Sequence, residues 1–92
     1  MELEQLRIFT AVADCRSYTK AAKKLYISHS TTSRAVSALE EELSARLFER
    51  DNRITGLTEE GRLLYKGAVK LLGEAEELEN EIKSFKEKKG DL

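Results

Sequence analysis

Between Ser28 and Ser37 the chain carries a concentration of short hydrogen-bonding side chains and one guanidinium. Ser30, Ser33, Arg34 and Ser37 fall on one face if this stretch is helical, with His29 and Thr31 at the tip. Hydroxyls and a guanidinium on one helix face offer donors and acceptors of the kind that meet base edges and phosphates in a major groove. Ser28, with the free amides of a helix start beside it, is placed to hold a phosphate. A helix that only shields a core would more often show Glu and Lys on its outer face, because Ser and Thr are poor helix formers. Two further arginines, Arg50 and Arg53, flank a polar turn. They read either as bidentate phosphate contacts or as solvated arginines on a loop. Tyr18 offers a hydroxyl to a phosphate, while its ring is suited to packing on the first helix.

Enzymatic chemistry has little to assemble. With one His, one Cys, no glycine-rich phosphate loop and no metal-ligand spacing, the chain offers no nucleophile–base pair, no metal site and no cofactor site. A lone Cys15 permits no intrachain disulfide and fits a reducing compartment. No apolar run approaches membrane-spanning length, and the N-terminus lacks a signal-peptide stretch, so a soluble, cytoplasmic protein without a membrane partner is expected. The net charge of -1 conceals an asymmetry. From Arg16 to Arg34 every charged residue is a cation (Arg16, Lys20, Lys23, Lys24, Arg34), whereas acids collect at Glu40–Glu42 and from Glu74 to Glu81. A basic face with acidic flanks is the footprint of a phosphate-binding surface.

These residues need elements to position them, and 92 residues allow one small domain with an appendage. Leu3, Leu6, Phe9, Val12 and Ala13 predict a helix over 3–14. Ser17 is an N-cap candidate for a short helix over 18–25, in which Ala21 and Ala22 admit a close neighbour. Ser28 is the next N-cap candidate, and Thr32, Val36, Leu39 and Leu43 supply the inner face of a third helix over 29–43. Residues 47–50 and 53–57 predict two short strands joined through Asp51-Asn52, a wing that must pack on the helices through Leu47 and Phe48. From Thr58 a last helix runs to about Lys88, with Leu64, Ala68, Leu71, Ala75, Leu78, Ile82 and Phe85 alternating steps of four and three. That is a heptad seam. At 1.5 Å per residue the helix is about 45 Å long, more than the preceding domain can cover, so the seam predicts a homodimer.

The sequence resembles the N-terminal domain of the LysR-type transcriptional regulators. The resemblance is carried by Leu6-Arg7-Ile8-Phe9-Thr10-Ala11-Val12-Ala13, by 17–25 (SYTKAAKKL), by Ser28-His29-Ser30-Thr31-Thr32-Ser33 and by Leu39-Glu40-Glu41-Glu42-Leu43. Leu47-Phe48-Glu49-Arg50-Asp51-Asn52-Arg53 and Leu57-Thr58-Glu59-Glu60-Gly61 complete it, so it covers nearly the whole chain. It implies a winged helix-turn-helix followed by a linker helix that pairs two subunits on promoter DNA with an interrupted dyad. It also implies that His29, Ser30, Thr31, Ser33 and Arg34 read the major groove while Arg50 and Arg53 contact the backbone or the adjacent minor groove. Four positions depart from the family pattern. Gln is usual at 29, an aliphatic residue is common at 32, and glycines are usual near Cys15-Arg16 and at Ser44. Members of the family normally continue into an effector-binding domain, which these 92 residues do not include; no small molecule is expected to bind here.

The expected architecture is therefore mainly α: a winged helix-turn-helix of three helices and a two-stranded wing over 1–58, a dimerising linker helix over 59–89 and a tail over 90–92. The expected function is sequence-specific binding of double-stranded DNA as a homodimeric transcriptional regulator, with a tetramer open to a longer protein. The predicted DNA contacts are Tyr18, Ser28, His29, Ser30, Thr31, Ser33, Arg34, Arg50 and Arg53. A rival reading is a coiled-coil module whose head binds protein, motivated by the acid-rich last helix. It is disfavoured by the polar face of the third helix, which a protein-binding head would make apolar or aromatic.

Overall fold

The computed structural model describes residues 1–51 and 54–90. The elements run α1 (Leu3–Cys15), α2 (Tyr18–Leu25), α3 (His29–Leu43), β1 (Phe48–Arg50), β2 (Ile54–Leu57) and α4 (Glu59–Gly90). Local chemistry sets these boundaries. Ser17 Oγ accepts from the Lys20 amide at 3.1 Å to open α2, and Ser28 Oγ accepts from the Thr31 amide at 3.0 Å to open α3. Each of the first three helices ends in a left-handed residue that is not glycine: Arg16 (φ 53°), Tyr26 (φ 57°) and Ser44 (φ 50°). The usual glycine signal is thus absent from the sequence while the turn geometry is retained, at a conformational cost that a Cβ imposes in this region.

The core gathers one face of each helix around the wing. Leu6, Phe9 and Val12 of α1, Ala21 of α2, Val36 and Leu39 of α3, and Leu47, Phe48 and Ile54 of the wing are all buried. The Phe9 and Phe48 rings lie 5.4 Å apart and tilted, which ties the wing to α1. Leu47 and Phe48 anchor the wing as their apolar character predicts. Thr32, where the family favours an aliphatic residue, is fully buried. Its hydroxyl donates to the Ser28 carbonyl at 2.9 Å, so no buried polar atom is left orphaned there.

The wing is antiparallel, with Phe48 opposite Leu57, Glu49 opposite Gly56 and Arg50 opposite Ile54. The pairing skips position 55, a bulge that twists the hairpin just before its turn. β1 starts one residue later than the sequence predicts, at Phe48 rather than Leu47. Asn52 of the predicted turn and Arg53 of the predicted site lie outside the described residues.

α4 starts where Thr58 caps it: Thr58 Oγ1 accepts from the Gly61 amide at 2.9 Å and donates to the Arg46 carbonyl. Its first half packs on α1, with Tyr65 donating its hydroxyl hydrogen to Asp14 and Ala68 fully buried. Beyond that the helix projects from the domain and gives the molecule its long axis of 58 Å. Leu64 and Ala68, at the start of the predicted seam, face the chain's own core. Leu71, Leu78, Ile82 and Phe85 are exposed. No described helix is long and apolar enough to cross a membrane.

Candidate nucleic-acid interface

The hydroxyls at the start of α3 organise one another. Ser28 Oγ donates to Thr31 Oγ1 at 2.8 Å and lies 3.2 Å from Ser30 Oγ. All three residues are exposed. A cluster that already satisfies part of its hydrogen bonding internally loses less side-chain freedom when a ligand arrives. One turn on, Arg34 donates from Nε to the Ser30 carbonyl at 3.3 Å and is otherwise exposed. That bond fixes the root of the guanidinium on the same face as the hydroxyls. Ser33 is half-buried beside it.

Tyr18 joins the second group of predicted residues. Its ring lies 6.0 Å from that of His29 at the tip of α3 and meets Phe48 edge-on at 6.3 Å. Arg50 reaches across from the wing, with its guanidinium carbon 5.3 Å from the Tyr18 ring centroid. Arg50 Nη2 donates to the Tyr18 hydroxyl. Burial pushes the Tyr18 phenol above its ordinary value of 10.0; the positive charge of Arg50 opposes this and the negative charge of Glu40 adds to it. Tyr18 therefore stays protonated at neutral pH.

Two features escaped the sequence. Arg50 Nη2 lies 3.6 Å from Glu40 Oε1, while Glu40 Oε2 accepts from the Leu47 amide at 2.8 Å. Nothing in the spacing of 40 and 50 announces this pair, because the residues belong to different elements. The second feature is a groove of about 410 Å³ between the start of α2 and the wing, lined by Arg16, Ser17, Tyr18, Thr19, Lys20 and His29 with Ile54. The uninterrupted run of cations from Arg16 was its visible signal. The groove extends the polar patch of α3 toward the wing, and Arg16, Lys20, Lys23, Lys24 and Arg34 are all exposed.

Three helices with a two-stranded wing, and a polar face on the third helix, define the winged helix-turn-helix class. Residues 3–62 match the model of the bacterial regulatory helix-turn-helix protein, lysR family. The chain belongs to this family, whose members are regulators and not enzymes. It is 45% identical over 78 residues to the HTH-type transcriptional regulator BenM of Acinetobacter baylyi, covering 85% of this chain and 26% of that protein. The chain thus spans about a quarter of the length of that curated relative. Among solved structures, the complex of the BenM DBD with benA site 1 DNA superposes with a TM-score of 0.85 at 42% identity, covering 92% of this chain and 99% of that one. The CbnR DBD–DNA complex gives a TM-score of 0.84 at 34% identity, covering 91% and 97%.

Proposed function

We propose that the chain binds double-stranded promoter DNA sequence-specifically, as the DNA-binding part of a homodimeric transcriptional regulator. The start and outer face of α3, with His29, Ser30, Thr31, Ser33 and Arg34, enter the major groove. Ser28 and Tyr18 lie toward the flanking phosphates. The wing, carrying Arg50 and Arg53, meets the backbone or the neighbouring minor groove. The carrying observation is the exposed hydroxyl cluster of Ser28, Ser30 and Thr31 beside Arg34: short, pre-arranged donors and acceptors with a cation on one helix face. The relatives whose structures include DNA support the same reading, since BenM and CbnR fragments of nearly this length were crystallised in complex with DNA.

The homodimer rests on α4. Leu78 is 59% and Ile82 54% exposed on a helix that leaves its own domain behind, and apolar side chains at heptad spacing are stabilised by burial against a second helix. An apolar groove of about 370 Å³, lined in part by Met1, Leu43, Leu63 and Leu71, continues that surface onto the domain.

The test is selection of bound duplexes from a random library, followed by salt titration of the enriched sequence. A dyad-symmetric site whose affinity falls steeply with salt is expected. Absence of binding to any duplex at low salt would overturn the proposal.

A further inference from the structure

An acid among groups that face phosphate ordinarily repels DNA, yet Glu40 sits there, on α3, with only 20% of its side chain exposed. Its two oxygens have separate partners. Oε2 takes the Leu47 amide at 2.8 Å, fixing the loop that leads into β1, and Oε1 lies 3.6 Å from Arg50 Nη2. The same Nη2 donates to the Tyr18 hydroxyl, the guanidinium lies over the Tyr18 ring, and that ring packs near His29. The contacts close a circuit from the body of α3 through the wing and α2 back to the tip of α3. A strand of three residues ending at a turn has little of its own to hold a long side chain. Arg50 is held because Glu40 and Tyr18 grip one nitrogen of its fork.

We infer that Glu40 is a positioning residue for DNA binding: it holds Arg50, and with it the wing, in register with the tip of α3. The inference rests on the DNA-binding reading above. It makes a prediction opposite in sign to simple electrostatics. Removing a negative charge and releasing an arginine should strengthen binding to a polyanion if charge alone mattered. If Glu40 positions Arg50, removing the charge weakens binding.

The variants are Glu40→Gln, Arg50→Met, the double variant and Arg50→Lys, measured on the duplex enriched by selection at several salt concentrations. Gln at 40 keeps an acceptor for the Leu47 amide, so the loop bond survives. Glu40→Gln is expected to bind about threefold to fivefold more weakly, the range an incompletely buried ion pair supports. Its slope of log affinity against log salt should flatten by about one contact, as in Arg50→Met. The double variant should bind no more weakly than Arg50→Met alone. Glu40→Gln binding as tightly as the parent or tighter would overturn the inference, and so would additive losses in the double variant. Should Glu40→Gln not fold, Arg50→Lys decides the question. It keeps the charge but not the planar fork, so parental affinity overturns the inference and a loss matching Arg50→Met supports it. A parent chain that binds no duplex would instead sink the DNA-binding reading, a result visible before any variant is made.

Discussion

Gly61, in the first turn of α4, stands directly against the Leu47 carbonyl: a Cβ built at Gly61 would lie 2.0 Å from that oxygen. The same carbonyl accepts the Thr58 amide at 3.1 Å, and Thr58 Oγ1 accepts the Gly61 amide. The start of the linker helix is therefore seated on the backbone that leads into the wing, and only a residue without a side chain permits that approach. The tightest contact is with backbone, which cannot swing away as the nearby Leu57 methyl could.

Gly61→Ala is expected to destabilise the fold by about 1–3 kcal/mol or more, the range for forcing atoms into a packed site. Urea or thermal unfolding measures it directly. A variant as stable as the parent would mean that α4 is free to lift off the wing.

Ser44 closes α3 in the left-handed region at φ 50°, where a Cβ is strained and glycine is not. Ser44→Gly should raise stability by about 0.5–1 kcal/mol, even though glycine adds freedom to the unfolded chain. Exposed Ser44 has no side-chain partner to lose among the hydrogen bonds described. A fall in the denaturation midpoint would show that the unfolded-state entropy outweighs the relief of strain.

Ser17 and Ser28 announce the starts of α2 and α3 because an N-cap needs a short side-chain oxygen, and both helices begin where those residues predict. The ends of α2 and α3 also fall where the apolar period predicts, and α1 runs one residue further, to Cys15, although Arg16, Tyr26 and Ser44 take the left-handed conformation without the glycine that would advertise it. The hydroxyl face of α3 was legible from its spacing alone. The Glu40–Arg50–Tyr18 contacts were not, since they join three elements whose packing is not encoded in any local period. The heptad pattern of α4 was visible, but a period cannot tell a chain's own core from a partner's. Leu64 and Ala68 face the core of their own domain, while Leu63, off the predicted seam, is 76% exposed beside an apolar groove.

Tyr18 offers a test by pH. Its phenol titrates above its ordinary value, mainly through burial. An acid whose folded value is raised contributes stability that is fully present below the unfolded value, near pH 10, and is lost as pH rises through the folded value. Thermal midpoints of the parent and of Tyr18→Phe should run parallel from pH 7 to about 9. Above about pH 10 the parent should lose more than the variant. Curves that stay parallel to pH 11.5 would show that the phenol ionises without cost in the folded chain.

Arg34 is exposed and tied only at its root, by the bond from Nε to the Ser30 carbonyl. Arg34→Ala should leave the unfolding curve nearly unchanged, within about 0.5 kcal/mol. It should weaken binding to the selected duplex by about 1–3 kcal/mol and relax preference at the base pairs it reads. Unchanged affinity on that duplex would remove Arg34 from the reading face.

The proposed dimer is best tested where α4 no longer touches its own domain. Leu71 lines the apolar groove against Leu43 and Leu64, so Leu71→Glu mixes loss of pairing with damage to the fold. Leu78 avoids this: it is 59% exposed, and no contact with the core is assigned to it. Burying one leucine contributes about 1.5–3 kcal/mol, and a two-fold interface buries two copies. Leu78→Glu should therefore raise the dimer dissociation constant by about a hundredfold to ten-thousandfold, at roughly 1.4 kcal/mol per tenfold, without lowering the helix content of the domain. Sedimentation velocity at micromolar concentration should show the parent as a dimer and the variant as a monomer. Leu71→Glu should give the same shift together with a lower unfolding midpoint. If Leu78→Glu sediments like the parent, the exposed stripe of α4 is not what joins the subunits.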